Sequence, residues 1–311
     1  MTLSLSRITI FKTIKSFFNA IKLPFLEGIS LYELSHFYIS GILKSALSYR
    51  AAAVSWSFFM ALFPFALFIL NLIPYIPIQG FQKDFLGFVA QAVPPNTYGA
   101  IENIINDILH NSQSGLLSSG FILSVFLMTN GVNAIMSGFE TSEHVIVKRA
   151  YFRQYFVALC LSLLLTFILI VAVSTIIIFE VIIQKTIIQD VLSKNISDKI
   201  SLIQFGRYIF ILSMIIIVIA TLFKFGIKQT RKRAFLTVGT IFTTVLIIFT
   251  SYFFGIWVVK FSKYNELYGS IGTLLIVMFY LWINCMILLL GFELDASIAK
   301  LKRNPEETPE L

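Results

Sequence analysis

Apolar and polar positions fall along this chain in long blocks. Six stretches, 51–73, 116–135, 156–179, 208–225, 234–259 and 271–292, run with almost no ionisable residue near their middles. A helix rises about 1.5 Å per residue, so roughly 20 apolar residues cross the ~30 Å hydrocarbon layer of a bilayer. Only a structure that satisfies its own backbone polar groups survives there. The pattern therefore predicts an all-α fold: a polytopic membrane bundle of six transmembrane helices flanked by amphipathic interfacial helices. Near the N-terminus, Ile10, Phe11, Ile14, Phe17, Phe18 and Ile21 share one helical side, and Lys12, Lys15, Asn19 and Lys22 share the other. Such a helix lies along the inner membrane surface or packs on the bundle. Between the first two spans, Phe81, Phe85, Phe88 and Val89, then Ile101, Ile105, Ile108 and Leu109 after Pro94 and Pro95, predict two short amphipathic helices over the outer mouth. One more short helix is expected within 181–207. Three regions follow: an amphipathic cytoplasmic segment 1–50, a membrane domain 51–298 and a polar tail 299–311.

Composition agrees, since 57% of the 311 residues are hydrophobic and 13% charged, far from a soluble domain. Charge then orients the chain. Sorted by loop, seventeen of the 24 Lys and Arg residues fall in the N-terminal segment, the second-to-third and fourth-to-fifth loops and the tail, and seven fall on the other side. Cytoplasmic loops retain positive charge, so both termini, together with 138–152, 226–233 and 293–311, are expected in the cytoplasm. The formal charge of +8 thus reflects membrane topology, and nothing in it calls for a nucleic-acid partner. Lys228, Arg231, Lys232 and Arg233 form the densest basic run, suited to anionic lipid headgroups or simply to setting topology. The N-terminus lacks the uninterrupted apolar core of a cleavable export signal. Cys160 and Cys285 both fall inside spans, so neither a disulfide nor a thiolate metal site is expected.

Polar residues inside the membrane carry the remaining information. Asn130, Asn133, Ser137 and Glu140 share one face of the second span. Thr237, Thr240, Thr244, Ser251 and Gly255 repeat the pattern in the fifth, and Ser270, Thr273, Tyr280, Asn284, Gly291 and Asp295 in the sixth. Two readings remain open. Such groups bond neighbouring helices together, or they line a path for a polar group, and the amides Asn130, Asn133 and Asn284 fit the second best because they are costly to bury without partners. The stripes of the three spans are expected to face one another or a shared cavity. Pro64, inside the first span, is a candidate hinge or a static kink. Glu293, opposite Asp295, is expected to pair with Lys300 or Lys302. His36, His110 and His144 are scattered and are not expected to converge. No phosphate-binding loop, nucleophile elbow or metal-ligand spacing is present, so no catalysis, metal or cofactor is expected.

Three stretches carry a family resemblance: Tyr49 to Pro64, Asn133 to Arg153, and the Tyr-Gly-Ser-Ile-Gly run 268–272 leading to Gly-Phe-Glu-Leu-Asp at 291–295. They resemble the YihY/virulence factor BrkB family over roughly 43–298. Many members have Asn where this chain has Asp295, and a Pro near Ile227 is absent here. The resemblance implies a six-span inner-membrane protein associated with the bacterial envelope and virulence, some members of which carry an old label as ribonuclease BN. Joined to the polar stripes and basic loops, it leads to an expected function: moving or handling an amphiphilic, anionic envelope component in contact with membrane lipids. The alternatives are a scaffold without substrate and a membrane-bound ribonuclease, for which this sequence offers no residue set to activate water on a phosphodiester.

Overall fold

The computed structural model describes residues 30–44, 46–72, 114–142, 144–145, 148–193, 198–228, 234–268 and 270–302. Among these, all regular elements are helices: α1 (Leu31–Lys44), α2 (Leu47–Leu72), α3 (Ser114–Glu140), α4 (Tyr151–Ser193), α5 (Asp198–Phe225), α6 (Val238–Tyr268) and α7 (Ser270–Leu301). Five of them, α3 to α7, are individually long and apolar enough to cross a membrane, and α1 with α2 makes a sixth when the bent pair is taken together. The protein is thus an integral membrane protein. The helices close into a ring: α2 packs on α3 and α7, α3 on α4, α4 on α5, α5 on α6, and α6 on α7, with α1 lying against α7.

Burial is concentrated at one end of the ring. Ala51 and Val54 near the start of α2, Val132, Met136 and Phe139 toward the end of α3, Ala158 near the start of α4, Ala220 and Phe223 at the end of α5, and Leu289, Phe292 and Ala296 toward the end of α7 are all nearly inaccessible. Phe139 stacks on Phe292 with ring centroids 4.1 Å apart, and Phe223 meets both rings edge-on. Offset and edge-on ring pairs add stability beyond the area they bury, so this aromatic triad closes the packed end. Farther along the helices, Phe167 and Ile170 on α4 and Phe249, Tyr252 and Phe253 on α6 are exposed, as side chains facing hydrocarbon must be.

Each predicted span overlaps one helix, the fifth starting at Val238 instead of 234, but their surroundings differ from expectation in two ways. The segment before the first span contains α1, whose start is a reciprocal cap: the Ser30 N–H donates to Glu33 Oε2 at 3.0 Å and the Glu33 N–H to Ser30 Oγ at 3.1 Å. α1 meets α2 at a 63° bend, where Ala46 takes a φ of 46°. Among the described residues of 181–207 there is no separate short helix: α4 continues to Ser193 and α5 begins at Asp198. At 43 residues, α4 is about 65 Å long, about twice the hydrocarbon thickness, so its last turns project beyond the membrane. Pro64 is buried within α2, which is helical on both sides of it. The expected helices at 10–22 and within 74–115 lie outside the described residues.

Candidate functional site

Two polar seams run along the helices. The first joins α3 to α4. Thr129 and Ser162 hydroxyls are 3.1 Å apart, Tyr155 donates its hydroxyl proton to Asn130 Oδ1 at 3.3 Å, and Gln154 Nε2 donates to Ser137 Oγ at 2.9 Å. Glu140 ends the seam, its Oε1 accepting from the Arg149 N–H at 3.3 Å. The Arg149 guanidinium then reaches the C-terminus of α5, donating to the carbonyls of Gly226 at 3.0 Å, Phe225 at 3.0 Å and Ile227 at 2.7 Å. The last carbonyls of a helix have no intrahelical donor and carry its negative dipole end, so this cation satisfies them and ties the α3–α4 connection to α5. Burial lowers the Arg149 pKa from its ordinary value, Glu140 pulls it back up and Arg153 lowers it further; a guanidinium remains charged regardless.

The second seam joins α6 to α7. Thr237 caps α6, its Oγ1 accepting the Thr240 N–H at 3.2 Å, and donates its own proton to Asp295 Oδ2. Asp295 Oδ1 accepts the Gly239 N–H at 2.7 Å. A carboxylate from α7 therefore serves the positive N-terminal end of α6. The contact needs glycine on both helices: a Cβ on Gly239 would overlap the Gly291 carbonyl and the Asp295 carboxylate, and one on Gly291 would overlap Thr243. Ser251 and Tyr280 hydroxyls, 2.8 Å apart, extend the seam. Thr244 is buried and donates to the Thr240 carbonyl of its own helix.

The three stripes thus divide between two helix pairs. Most of their members hold neighbours together: Asn130, Ser137 and Glu140 serve α3–α4, and Thr237, Tyr280 and Asp295 serve α6–α7. Two amides are different. Asn133 is half-buried and its side chain makes no hydrogen bond among the described residues. Asn284, also half-buried, donates from Nδ2 to the Tyr280 carbonyl one turn back, at 2.8 Å. Lys228 is exposed just beyond α5, while Arg231, Lys232 and Arg233 lie outside the described residues. Cys160 and Cys285 are both free thiols.

A charged cluster that the sequence did not reveal lies at the packed end. Glu293 is wholly inaccessible. Its Oε2 is 3.9 Å from Arg50 Nη1 and its Oε1 is 3.6 Å from His144 Nε2. Ser142 Oγ donates to Glu293 Oε1 at 3.0 Å and accepts the His144 N–H at 3.2 Å, positioning the imidazole through its own backbone. Arg50 also donates from Nη2 to the Gly138 carbonyl. Glu293 is therefore partnered by α2 and the α3–α4 connection. His144, expected to be an isolated interfacial histidine, is buried beside it, its side chain 4% accessible. The long-range pairing left no spacing signal.

The sequence model of the family described as Virulence factor BrkB matches residues 38–310, which takes in both seams and the charged cluster. The chain belongs to the BrkB family. Among its relatives, a protein of Bacillus subtilis (strain 168) named putative ribonuclease-like protein YfkH is 27% identical over 261 residues, covering 84% of this chain and 93% of the relative. A UPF0761 membrane protein of Coxiella burnetii (strain RSA 493) is 23% identical over 262 residues, covering 82% and 89%. A UPF0761 membrane protein of Pseudoalteromonas translucida is 32% identical over 73 residues, 24% of each chain. No solved structure matches this BrkB-family chain.

Proposed function

We propose that this BrkB-family protein moves or handles an amphiphilic, anionic, lipid-like component of the bacterial envelope at the cytoplasmic membrane. One observation carries the reading: Asn133 and Asn284 present half-buried amides within membrane spans, with hydrogen-bonding capacity that neighbouring helices do not take up. Hydrocarbon is a costly environment for such groups, whereas a polar headgroup or water satisfies them. The packed end, with its aromatic triad and Arg149 clamp, is the barrier of such a path.

We read the protein as non-enzymatic, with membrane lipids and the transported amphiphile as its partners and both termini in the cytoplasm. The ribonuclease-like name belongs to the Bacillus relative, and here Glu140 and Asp295 each hold helices together in a way that packing explains. The test is reconstitution into vesicles containing fluorescent phosphatidylglycerol, with dithionite quenching from outside. The protein is expected to expose inner-leaflet probe to quenching, and substituting both amides by Leu to abolish this. Quenching no faster than in protein-free vesicles, across anionic lipid classes, favours the second reading, a scaffold, to which the two satisfied seams already lend support.

A further inference from the structure

The Glu293 cluster is more than two helices need in order to pack. It draws on four parts of the fold: α1 through Gly41, α2 through Arg50, the α3–α4 connection through Ser142 and His144, and α7 through Glu293 itself. We propose that His144 and Glu293 form a proton-binding site, His144 accepting the proton and Glu293 holding it, which sets the state of the packed end. As the coupling site of transport it rests on the reading above; as a proton site it stands alone.

The ligand class follows from space. A methyl group added at Gly41 would come within 2.5 Å of Glu293 Oε1 and 2.8 Å of His144 Nε2, so not even one heavy atom fits between α1 and the pair. Phosphate, carboxylate and hydrated cations are therefore excluded unless α1 leaves, and among the described residues no three His, Cys, Asp or Glu side chains gather to hold a metal ion. A proton needs no volume. Charge selects the member that takes it. Arg50 is permanently cationic and offsets Glu293, while histidine is the side chain that ordinarily changes charge between pH 5 and 8. Neutral His144 carries one ring proton; uptake of a second from water forms an imidazolium beside the carboxylate, and nothing else is consumed. Among the described residues, the other titratable or charged groups facing the pair are Arg50 from α2 and the Tyr38 phenol from α1, which lies within electrostatic reach of Glu293. Lys300 of α7 sits over the Phe37 ring, which itself contacts His144. Asp295 points away, to α6, and Glu140 to Arg149.

The consequence is mechanical. The same proton that strengthens the His144–Glu293 attraction adds to the repulsion between His144 and Arg50. The balance thus bears on how α1, pivoting about Ala46, rests on α7 at Gly41.

The chain has three histidines, so ring-nitrogen-labelled histidine gives three sets of NMR signals in lipid nanodiscs, with His144 assigned by loss in His144→Asn. The His144 signals are expected to change from neutral to cationic between pH 5 and 9. Removing the adjacent negative charge in Glu293→Gln should lower the midpoint by about one unit or more, and removing the positive one in Arg50→Gln should raise it. A purely structural contact would not give shifts of opposite sign. A His144 that keeps one protonation state across this range in the wild-type protein overturns the proposal, as does a midpoint that neither folded variant moves. Because no transported substrate is present, a negative result here is distinct from failure of the vesicle assay.

Discussion

Removing the Arg149 side chain should loosen the packed end by a predictable amount. Of its three bonds to carbonyls at and just beyond the end of α5, those to Gly226 and Ile227 are partly buried and that to Phe225 is exposed. A hydrogen bond from a charged donor contributes about 1.5–3 kcal/mol where water is excluded and much less where it is not. Arg149→Met keeps most of the apolar stem but loses both partly buried bonds, so the expected loss is about 3 kcal/mol. The exposed bond adds nothing measurable. Arg149→Lys, a point charge without the planar fork, should retain about half. Thermal unfolding in a fixed detergent, followed by reaction of the buried Cys285 thiol with a fluorogenic maleimide in a Cys160→Ser background, reads both changes. Arg149→Met should melt several degrees below wild type with Arg149→Lys between them. Equal melting of all three would refute the idea that the guanidinium holds α5 to the α3–α4 connection.

Asp295→Asn, which keeps an acceptor for the Gly239 N–H, should cost under about 1 kcal/mol, whereas Asp295→Leu, which strands that donor, should cost about 1–3 kcal/mol in the same assay. Gly291→Ala should destabilise by about 1–3 kcal/mol, because the helices must separate to admit a methyl group; unchanged melting would contradict the close crossing. Asn284→Leu should leave stability within about 0.5 kcal/mol, since its amide bonds its own helix, yet abolish vesicle transport; a loss of 1–2 kcal/mol with transport intact would assign it to packing. A single cysteine at position 230 should react with membrane-impermeant maleimide only after cells are opened, and labelling of intact cells would reverse the proposed orientation.

The spans were legible because crossing a bilayer imposes a length and an apolarity that few other demands imitate. The stripes were legible too, as faces, but not their destinations. Asn130 and Ser137 share a face with Asn133, yet the first two meet Tyr155 and Gln154 of α4 while the third makes no hydrogen bond among the described residues, and the spacing of polar residues along one face cannot tell which of them find partners. The extension of α4 to Ser193 was hidden because Lys185 and Asp190 look like the edge of a span, although a helix can continue into water with charged residues on it. The Glu293 cluster was hidden for a different reason. Arg50, His144 and Glu293 each sit near the end of a span, where positive charges are ordinarily read as topology signals, and only the closure of α7 against α2 brings them within 4 Å. His144 shows the cost most plainly: a histidine in a short polar connection resembles a solvated residue until Ser142 turns it inward.

The central claim is that the interior beside Asn133 and Asn284 receives a polar headgroup. The most direct measurement is a cryo-electron-microscopy structure in native-lipid nanodiscs, aided by a rigid binder to an exposed loop. The expected result is elongated density among the helices, its polar end within hydrogen-bonding distance of both amides. Side chains filling that space, or both amides turned to the surrounding lipid, would contradict it.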